Sequence, residues 1–227
     1  MSSAVVLFTG GKDSVYALHR AVKEGLEVRA LATVTPHYKY SMLYHQPNYL
    51  SLLAQAQALS TPLETIGLYN PEYEVEALKH LLGRVKKKYG VGTIVTGSVK
   101  SRFQLRVFNE VANRLGLKIY APCWGISELE YMKELLGSGI EFVVISITSM
   151  GIPHYLLGKV FDINDLEKLM KLAEKYGFNI SFEGGEAETL AVNAPLFKYR
   201  LVIYGKRVVV SEFEGYFKVE KVVLAKK

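Results

Sequence analysis

Six consecutive residues near the amino terminus, Thr9-Gly10-Gly11-Lys12-Asp13-Ser14, are of the types that hold a polyphosphate. Two glycines let the backbone turn sharply and come close to an anion. A helix starting here would turn its unpaired N–H groups and positive dipole end toward that anion. Lys12 adds a point charge, and Thr9 and Ser14 add hydroxyl donors. Asp13 repels a bare phosphate, so its expected places are a helix cap or a magnesium ligand. The patterns Gly-x-x-x-x-Gly-Lys-[Ser/Thr] and Gly-x-Gly-x-x-Gly are both absent. A plain strand-to-helix turn could also carry Gly-Gly-Lys. The apolar run 4–8 directly before the hexapeptide favours an anion site, which needs strand, turn and helix in that order.

A second group lies far along the chain. Glu183, Glu186 and Glu188 stand within six residues, with Gly184 and Gly185 between the first two and Thr189 after the last. Near a magnesium nucleotide or an ammonium ion, such carboxylates ligate metal, take up protons or hold a cation. By charge count alone the stretch reads equally as a polar turn opening a helix or strand, its glutamates in solvent.

Both groups need a scaffold. Apolar runs at 4–8, 28–34, 63–66, 93–96 and 118–120 read as strands. Helical spacing appears between them: a helix over 14–23, then Leu50, Leu53, Ala54 and Ala58 on one face. Val75, Leu78, Leu82 and Val85 mark the next, and Phe108, Val111, Ala112 and Leu115 the last, stopped by Gly116. Strict alternation predicts an α/β fold, a parallel sheet with helices on both faces. Gly97 and Ser98 follow the fourth strand, at the end where such sheets collect ligands. The Tyr/His-rich stretch 36–48, which includes His45, is long for a connection, and such loops are functional or mobile.

The pattern changes after Gly125. A helix at 127–136, a strand at 142–147 and a helix marked by Leu166, Leu169, Met170 and Ala173 come first. Strands at 201–204 and 208–211 flank Gly205-Lys206, read as a hairpin turn, and 219–224 reads as a last strand. The expected organisation is a phosphate-loop domain over 1–125 and a smaller α+β domain over 126–227.

Composition removes several classes. No apolar run reaches the roughly 18 residues of a bilayer span, and no leader pattern is present, so a cytoplasmic protein with no membrane partner is expected. The single cysteine, Cys123, excludes an internal disulfide or a cysteine zinc site, and with no basic neighbour it reads as packing. The net charge of +6 suits an anionic substrate or an acidic protein partner. Charge looks scattered apart from Lys86-Lys87-Lys88, read as a solvated helix end, so no nucleic acid is expected. Trp124 reads as a core or domain-junction aromatic. An exposed hairpin edge leaves a homo-oligomer open.

The hexapeptide resembles the Ser-Gly-Gly-Lys-Asp-Ser loop of the N-type ATP pyrophosphatases, with Thr9 keeping the hydroxyl. Glu183 to Thr189, followed by Asn193-Ala194-Pro195-Leu196-Phe197, is similar to the signature Glu-Gly-Gly-Glu-[Tyr/Phe]-Glu-Thr…Asp-Cys-Pro-Leu-Phe. That signature marks the diphthine–ammonia ligase branch. Further matches fall in order at Ser41, Met42, His45 and Asn48, at Gly97-Ser98, at Phe103-Gln104 with Arg106-Val107, at Pro122 and Trp124, and at Leu157-Gly158-Lys159. The chain departs from the pattern at Phe182, where Gly is usual, at Ala187, where an aromatic is usual, and at Asn193 and Ala194, where Asp and Cys are common.

The resemblance implies an adenine nucleotide alpha-hydrolase-like, HUP-type fold. It implies ATP and Mg2+ as cofactors and cleavage to AMP and pyrophosphate. The implied reaction amidates the carboxylate of diphthine on translation elongation factor 2 with ammonium, through an acyl-adenylate. In that reading residues 9–14 bind ATP, joined by Gly97 and Ser98, and Lys12 and Asp13 act in catalysis, Asp13 toward magnesium. Glu183, Glu186 and Glu188 act on ammonium or diphthine. His45, Gln104, Arg106, Gly184, Gly185 and Thr189 bind substrate. Amidation of another small carboxylate, thiolation of transfer RNA and a non-catalytic nucleotide sensor are the rivals. Thiolation usually relies on cysteines that this chain lacks.

Overall fold

The computed structural model describes residues 2–38, 41, 43, 44 and 48–227. They form two compact units: Met1–Thr9 with Asp13–Trp124, and Gly10–Lys12 with Gly125–Lys227. The first unit runs β1 (Ser3–Leu7), α1 (Lys12–Lys23), β2 (Glu27–Pro36), α2 (Tyr49–Leu59), β3 (Leu63–Leu68), α3 (Glu74–Tyr89), β4 (Thr93–Val95), α4 (Arg102–Leu115) and β5 (Lys118–Tyr120). Its five strands are parallel, in the order β3-β2-β1-β4-β5. Five successive residues of β2, 30–34, are buried, which requires cover on both faces of the sheet. Val5 and Ile94 from the strands join Leu78, Leu82 and Val85 of α3 and Val111 of α4 in one core. The chain goes to one side of β1 first and to the other side afterwards. The topological switch of the sheet therefore lies between β1 and β4.

Two local readings change. The buried side of α2 is Ser51, Leu52, Gln55, Ala56 and Ala58, while Leu50 and Leu53 are exposed. Polar Ser51 turns inward because Asn48, the helix cap, accepts from both its N–H and its hydroxyl at 3.0 Å. The lysine triplet is not simply solvated. Lys86 Nζ donates to the Leu115 carbonyl at 2.6 Å, satisfying an orphan acceptor at the end of α4.

Lys88 Nζ lies 2.7 Å from Glu64 of β3, which also accepts from Tyr89 Oη at 2.8 Å and faces Arg84 at 3.5 Å. The bond from Lys88 holds the Glu64 carboxyl below its ordinary value of 4.5 against the raising effect of burial. A depressed acid stabilises the fold above its unfolded pKa and loses that contribution as pH falls through the folded one. Glu64→Gln should therefore cost about 1 kcal/mol at pH 7 and progressively less below about pH 4.5. Urea titrations at pH 7 and pH 3 that show the same difference would remove the ion pair from the account.

The second unit holds α5 (Glu128–Gly137), β6 (Glu141–Ile147), α6 (Ile163–Tyr176), β7 (Ala187–Asn193), β8 (Tyr199–Val209) and β9 (Gly215–Lys226). Its sheet runs β7-β6-β9-β8, with antiparallel pairs. Gly205-Lys206 is no turn. It lies inside the continuous β8, at a register shift between Tyr204 and Gly205, and the hairpin closes at 210–214. A Cβ at Gly205 would stand 2.1 Å from the Lys218 carbonyl oxygen, so glycine serves a bulge there. β7 was not legible as a strand, because Glu188, Thr189 and Asn193 break the apolar alternation. Among the described residues no helix is long and apolar enough to cross a membrane.

Candidate active site

The hexapeptide divides between the two units. In the first, the Thr9 N–H and hydroxyl both donate to Ser14 Oγ at 3.3 Å. This closes the turn after β1 and leaves Ser14 buried at the start of α1. Asp13 sits inside the first turn of α1 and is half-buried. There its charge complements the helix dipole without serving as the cap. A Cβ at Gly97 would lie 2.6 Å from the Asp13 carbonyl carbon and 2.8 Å from Ser14 N. The segment after β4 thus packs backbone to backbone on the first turn of α1, and only glycine permits it. Ser98 is buried, its hydroxyl 3.0 Å from Thr96 Oγ1.

In the second unit, Gly10–Lys12 lie against β7. The Gly10 carbonyl accepts from Ala191 N–H at 2.9 Å, and the Lys12 N–H donates to Thr189 Oγ1 at 3.2 Å. Gly10 has φ 76, a conformation that favours glycine. The two constellations, 177 residues apart, are therefore in direct contact. The Lys12 side chain is 1% exposed. Its ammonium lies 5.7 Å from the centre of the Tyr131 ring and 5.9 Å from that of Phe182, which face a buried cation with π density.

The glutamates do different things. The Glu186 carboxylate accepts from Asn179 N–H at 3.0 Å and from Gly184 N–H at 2.8 Å, so it shapes the loop around itself. Thr148 Oγ1, just after β6, donates to the Gly185 carbonyl at 2.6 Å and holds the loop. Glu183 and Glu188 are half-buried, Glu188 within β7. Among the described residues no group of three or more His, Cys, Asp or Glu could hold a metal ion.

Gln104 Nε2 donates to the Leu43 carbonyl at 3.3 Å. Arg106 is exposed, its guanidinium 5.7 Å over the Phe103 ring. His45 and Met42 lie outside the described residues. Buried Glu74 accepts from Tyr38 Oη at 2.7 Å and from Ser41 Oγ at 2.6 Å. Burial and that carboxylate push the Tyr38 hydroxyl up to about 12. Cys123 is buried and Trp124 exposed.

Tyr131 and Phe182 are the site residues that sequence reasoning missed. Tyr131 has no sequence signal, being one more apolar residue of α5. Phe182 has one: it occupies a place where glycine is usual, and its φ is 62. That left-handed conformation costs an L-residue about 1–2 kcal/mol. The ring is buried and meets Phe161 edge-on at 6.4 Å, and losing such a ring costs about 3–5 kcal/mol. Burial wins, so Phe182→Gly is expected to destabilise by about 2 kcal/mol on balance. A glycine variant more stable to urea than the parent would show that strain dominates.

Comparison with known proteins places these residues in a family context. A family model described as diphthamide synthase N-terminal domain matches residues 1–119, and one described as diphthamide synthase C-terminal domain matches 127–225. A curated protein named diphthine--ammonia ligase from Rattus norvegicus is 31% identical, over 92% of this chain and 86% of its own. The protein of the same name from Homo sapiens is 30% identical with the same coverage. A solved structure, a predicted subunit of tRNA methyltransferase from Methanocaldococcus jannaschii, aligns with TM-score 0.44 and 16% identity over 86% of this chain and 98% of that one.

Proposed function

This chain belongs to the diphthamide synthase family, and from that premise we propose that it amidates the carboxylate of diphthine on translation elongation factor 2. The nitrogen comes from ammonium and the energy from ATP. A carboxylate is a poor electrophile for ammonia. Its oxygen attacks the α-phosphorus of ATP, the bond to the β-phosphate oxygen breaks, and pyrophosphate leaves. Ammonium gives up one proton to become ammonia, which attacks the acyl-adenylate carbon, displaces AMP and loses a second proton as the amide forms. Positioning and charge neutralisation carry such a reaction.

In this reading residues 1–125 bind ATP and 126–227 the acceptor. Gly10, Gly11, Lys12, Thr9 and Ser14 hold the pyrophosphate portion, and Gly97 and Ser98 border the nucleotide. Asp13 steadies Mg2+, which would neutralise phosphate charge. Glu183 and Glu188 hold ammonium or take its proton, while Glu186 keeps the loop in shape. Gln104, Arg106 and His45 serve the acceptor.

The observation that supports this best is the contact between the two motifs, Lys12 N–H on Thr189 Oγ1 and Gly10 C=O on Ala191 N–H. It brings the glutamate loop beside the residues proposed for pyrophosphate. The test is AMP and pyrophosphate release from ATP with ammonium and diphthine-bearing elongation factor 2, each omitted in turn. AMP that forms only with all components, with an amide on the factor, is the expected result. AMP that forms with another carboxylate keeps the phosphate loop and discards the acceptor. ATP that binds and is never cleaved makes the chain a sensor.

A further inference from the structure

β8 and β9 pair from Tyr199 opposite Lys226 to Val209 opposite Gly215. β6 meets this ribbon at one end, through Ser146 opposite Tyr216 and Ile147 opposite Gly215. One ribbon face is covered in part. Leu201 is buried, the Phe217 ring lies 2.5 Å from where a Cβ at Gly158 would stand, and Arg207 donates to the Leu157 and Tyr155 carbonyls at 3.0 and 2.9 Å. Side chains alternate along a strand, so the residues between these point the other way.

That other face is unusual for the solvated side of an antiparallel sheet, which is normally polar. Tyr204, Tyr216 and Val223 stand on it, 54%, 42% and 37% exposed. Lys206, Lys218 and Lys221 share it, with Lys206 directly opposite Lys218 and Tyr204 opposite Lys221. Like charges directly opposite one another destabilise a sheet. Among the described residues, Glu220 at 3.8 Å from Lys206 is the one carboxylate in ion-pair range of the three lysines. Residues 199–227 contain seven Lys or Arg and three Glu, a net +4 of the chain's +6.

We propose that this face of the β8–β9 ribbon docks an acidic patch of the protein whose residue is amidated, an inference that rests on the function proposed above. Tyrosines amid cations are what such a patch needs: aromatic area for the centre and charge for steering and register. A second copy of this chain fits poorly. A two-fold contact lays the same surface on itself, bringing Lys206, Lys218 and Lys221 against their own like. RNA would also be drawn to lysines and tyrosines. The acceptor in the proposed reaction is a folded protein, which favours the protein dock.

The test compares the full chain with Lys206→Glu/Lys218→Glu/Lys221→Glu. Lys218→Ala/Lys221→Ala is the milder partner, which carries the test should the triple variant not fold. Two quantities are read separately: direct binding of diphthine-bearing elongation factor 2, and steady-state amide formation. In the triple variant KM for the acceptor protein should rise about tenfold or more and binding weaken in parallel. The salt dependence of binding should shrink, while kcat and KM for ATP hold. The alanine pair should shift the same way by less. Unchanged KM and binding in a folded variant overturn the dock. So does a parent dimer that the variant dissolves, or a parent that binds oligo(U) RNA as tightly as the protein and loses it in the variant. A parent that binds the factor through this face yet forms no amide supports the dock and overturns the proposed reaction instead.

Discussion

Replacing Lys12 by Met is expected to cut AMP formation by about 10²–10³-fold, the usual cost of removing one charge-stabilising donor from a reacting centre. The argument begins with burial. Lys12 is 1% exposed, and an ion is costly to keep there unless its surroundings compensate. The π faces of Tyr131 and Phe182, at 5.7 and 5.9 Å, supply part of that compensation. In the proposed reaction the negative charge that grows on the leaving pyrophosphate supplies more, and it does so most in the transition state. Met keeps the length and bulk of the side chain, so packing against both rings survives. The loss should therefore appear in kcat and kcat/KM, with thermal stability near that of the parent. Quenched-flow measurement of AMP alongside a melting curve separates the effects. Parental AMP release in a folded Lys12→Met variant would falsify the phosphate-loop assignment.

The sheet was legible because its central strands are buried on both sides. Ala4-Val5-Val6 and Ile94-Val95 are runs that only a covered parallel strand explains, and the helices between them carry plain apolar stripes. α2 was misread for the converse reason. Its buried face takes in Ser51 and Gln55 and leaves out Leu50 and Leu53, because capping by Asn48 fixes the helix phase and side-chain hydropathy does not. Gly205-Lys206 has the composition of a turn, yet a glycine is equally demanded where a bulge brings two backbones together. Only the Lys218 carbonyl, distant in sequence, decides between them.

The candidate site shows the same division. Residue types that favour phosphate can be read from six letters, and a glutamate cluster from seven. Their contact cannot, since it depends on β7 passing beside Gly10–Lys12 and is made by a backbone carbonyl and a threonine hydroxyl. Glu186 looked like its neighbours by charge, but its oxygens serve the N–H groups of Asn179 and Gly184. The close approach of Gly97 to the backbone of Asp13 and Ser14 has no signal in the sequence either.

Lys159, in the Leu157-Gly158-Lys159 match, is expected to support the fold and not the chemistry. α6 opens with a capping box in which Asp162 and Asp165 each accept from the other's backbone N–H. The Lys159 ammonium bridges the two, 3.0 Å from Asp162 Oδ2 and in contact with Asp165 Oδ2. Asp165 is 1% exposed and accepts besides from Tyr155 Oη at 3.2 Å. Burial lowers the lysine's proton affinity, and the bonds to Asp165 and Asp162 raise it further than burial lowers it. The Lys159 bond in turn holds the Asp162 carboxyl below its ordinary range. Removing the cation leaves a buried carboxylate with neutral donors alone, and breaking such a pair costs about 3 kcal/mol where one partner keeps some solvent. For a chain of this size that lowers the melting temperature of a Lys159→Met variant by about 6–12 °C. Asp165→Asn paired with Lys159→Met should recover part of the loss, because no unpaired charge then remains buried. The share of the parent's advantage that rests on the depressed Asp162 carboxyl should fade as pH falls through its folded pKa, since protonation removes that charge. AMP release measured well below the melting point should stay near the parent value. A variant with a parental melting curve and no activity would instead put Lys159 at the reacting centre.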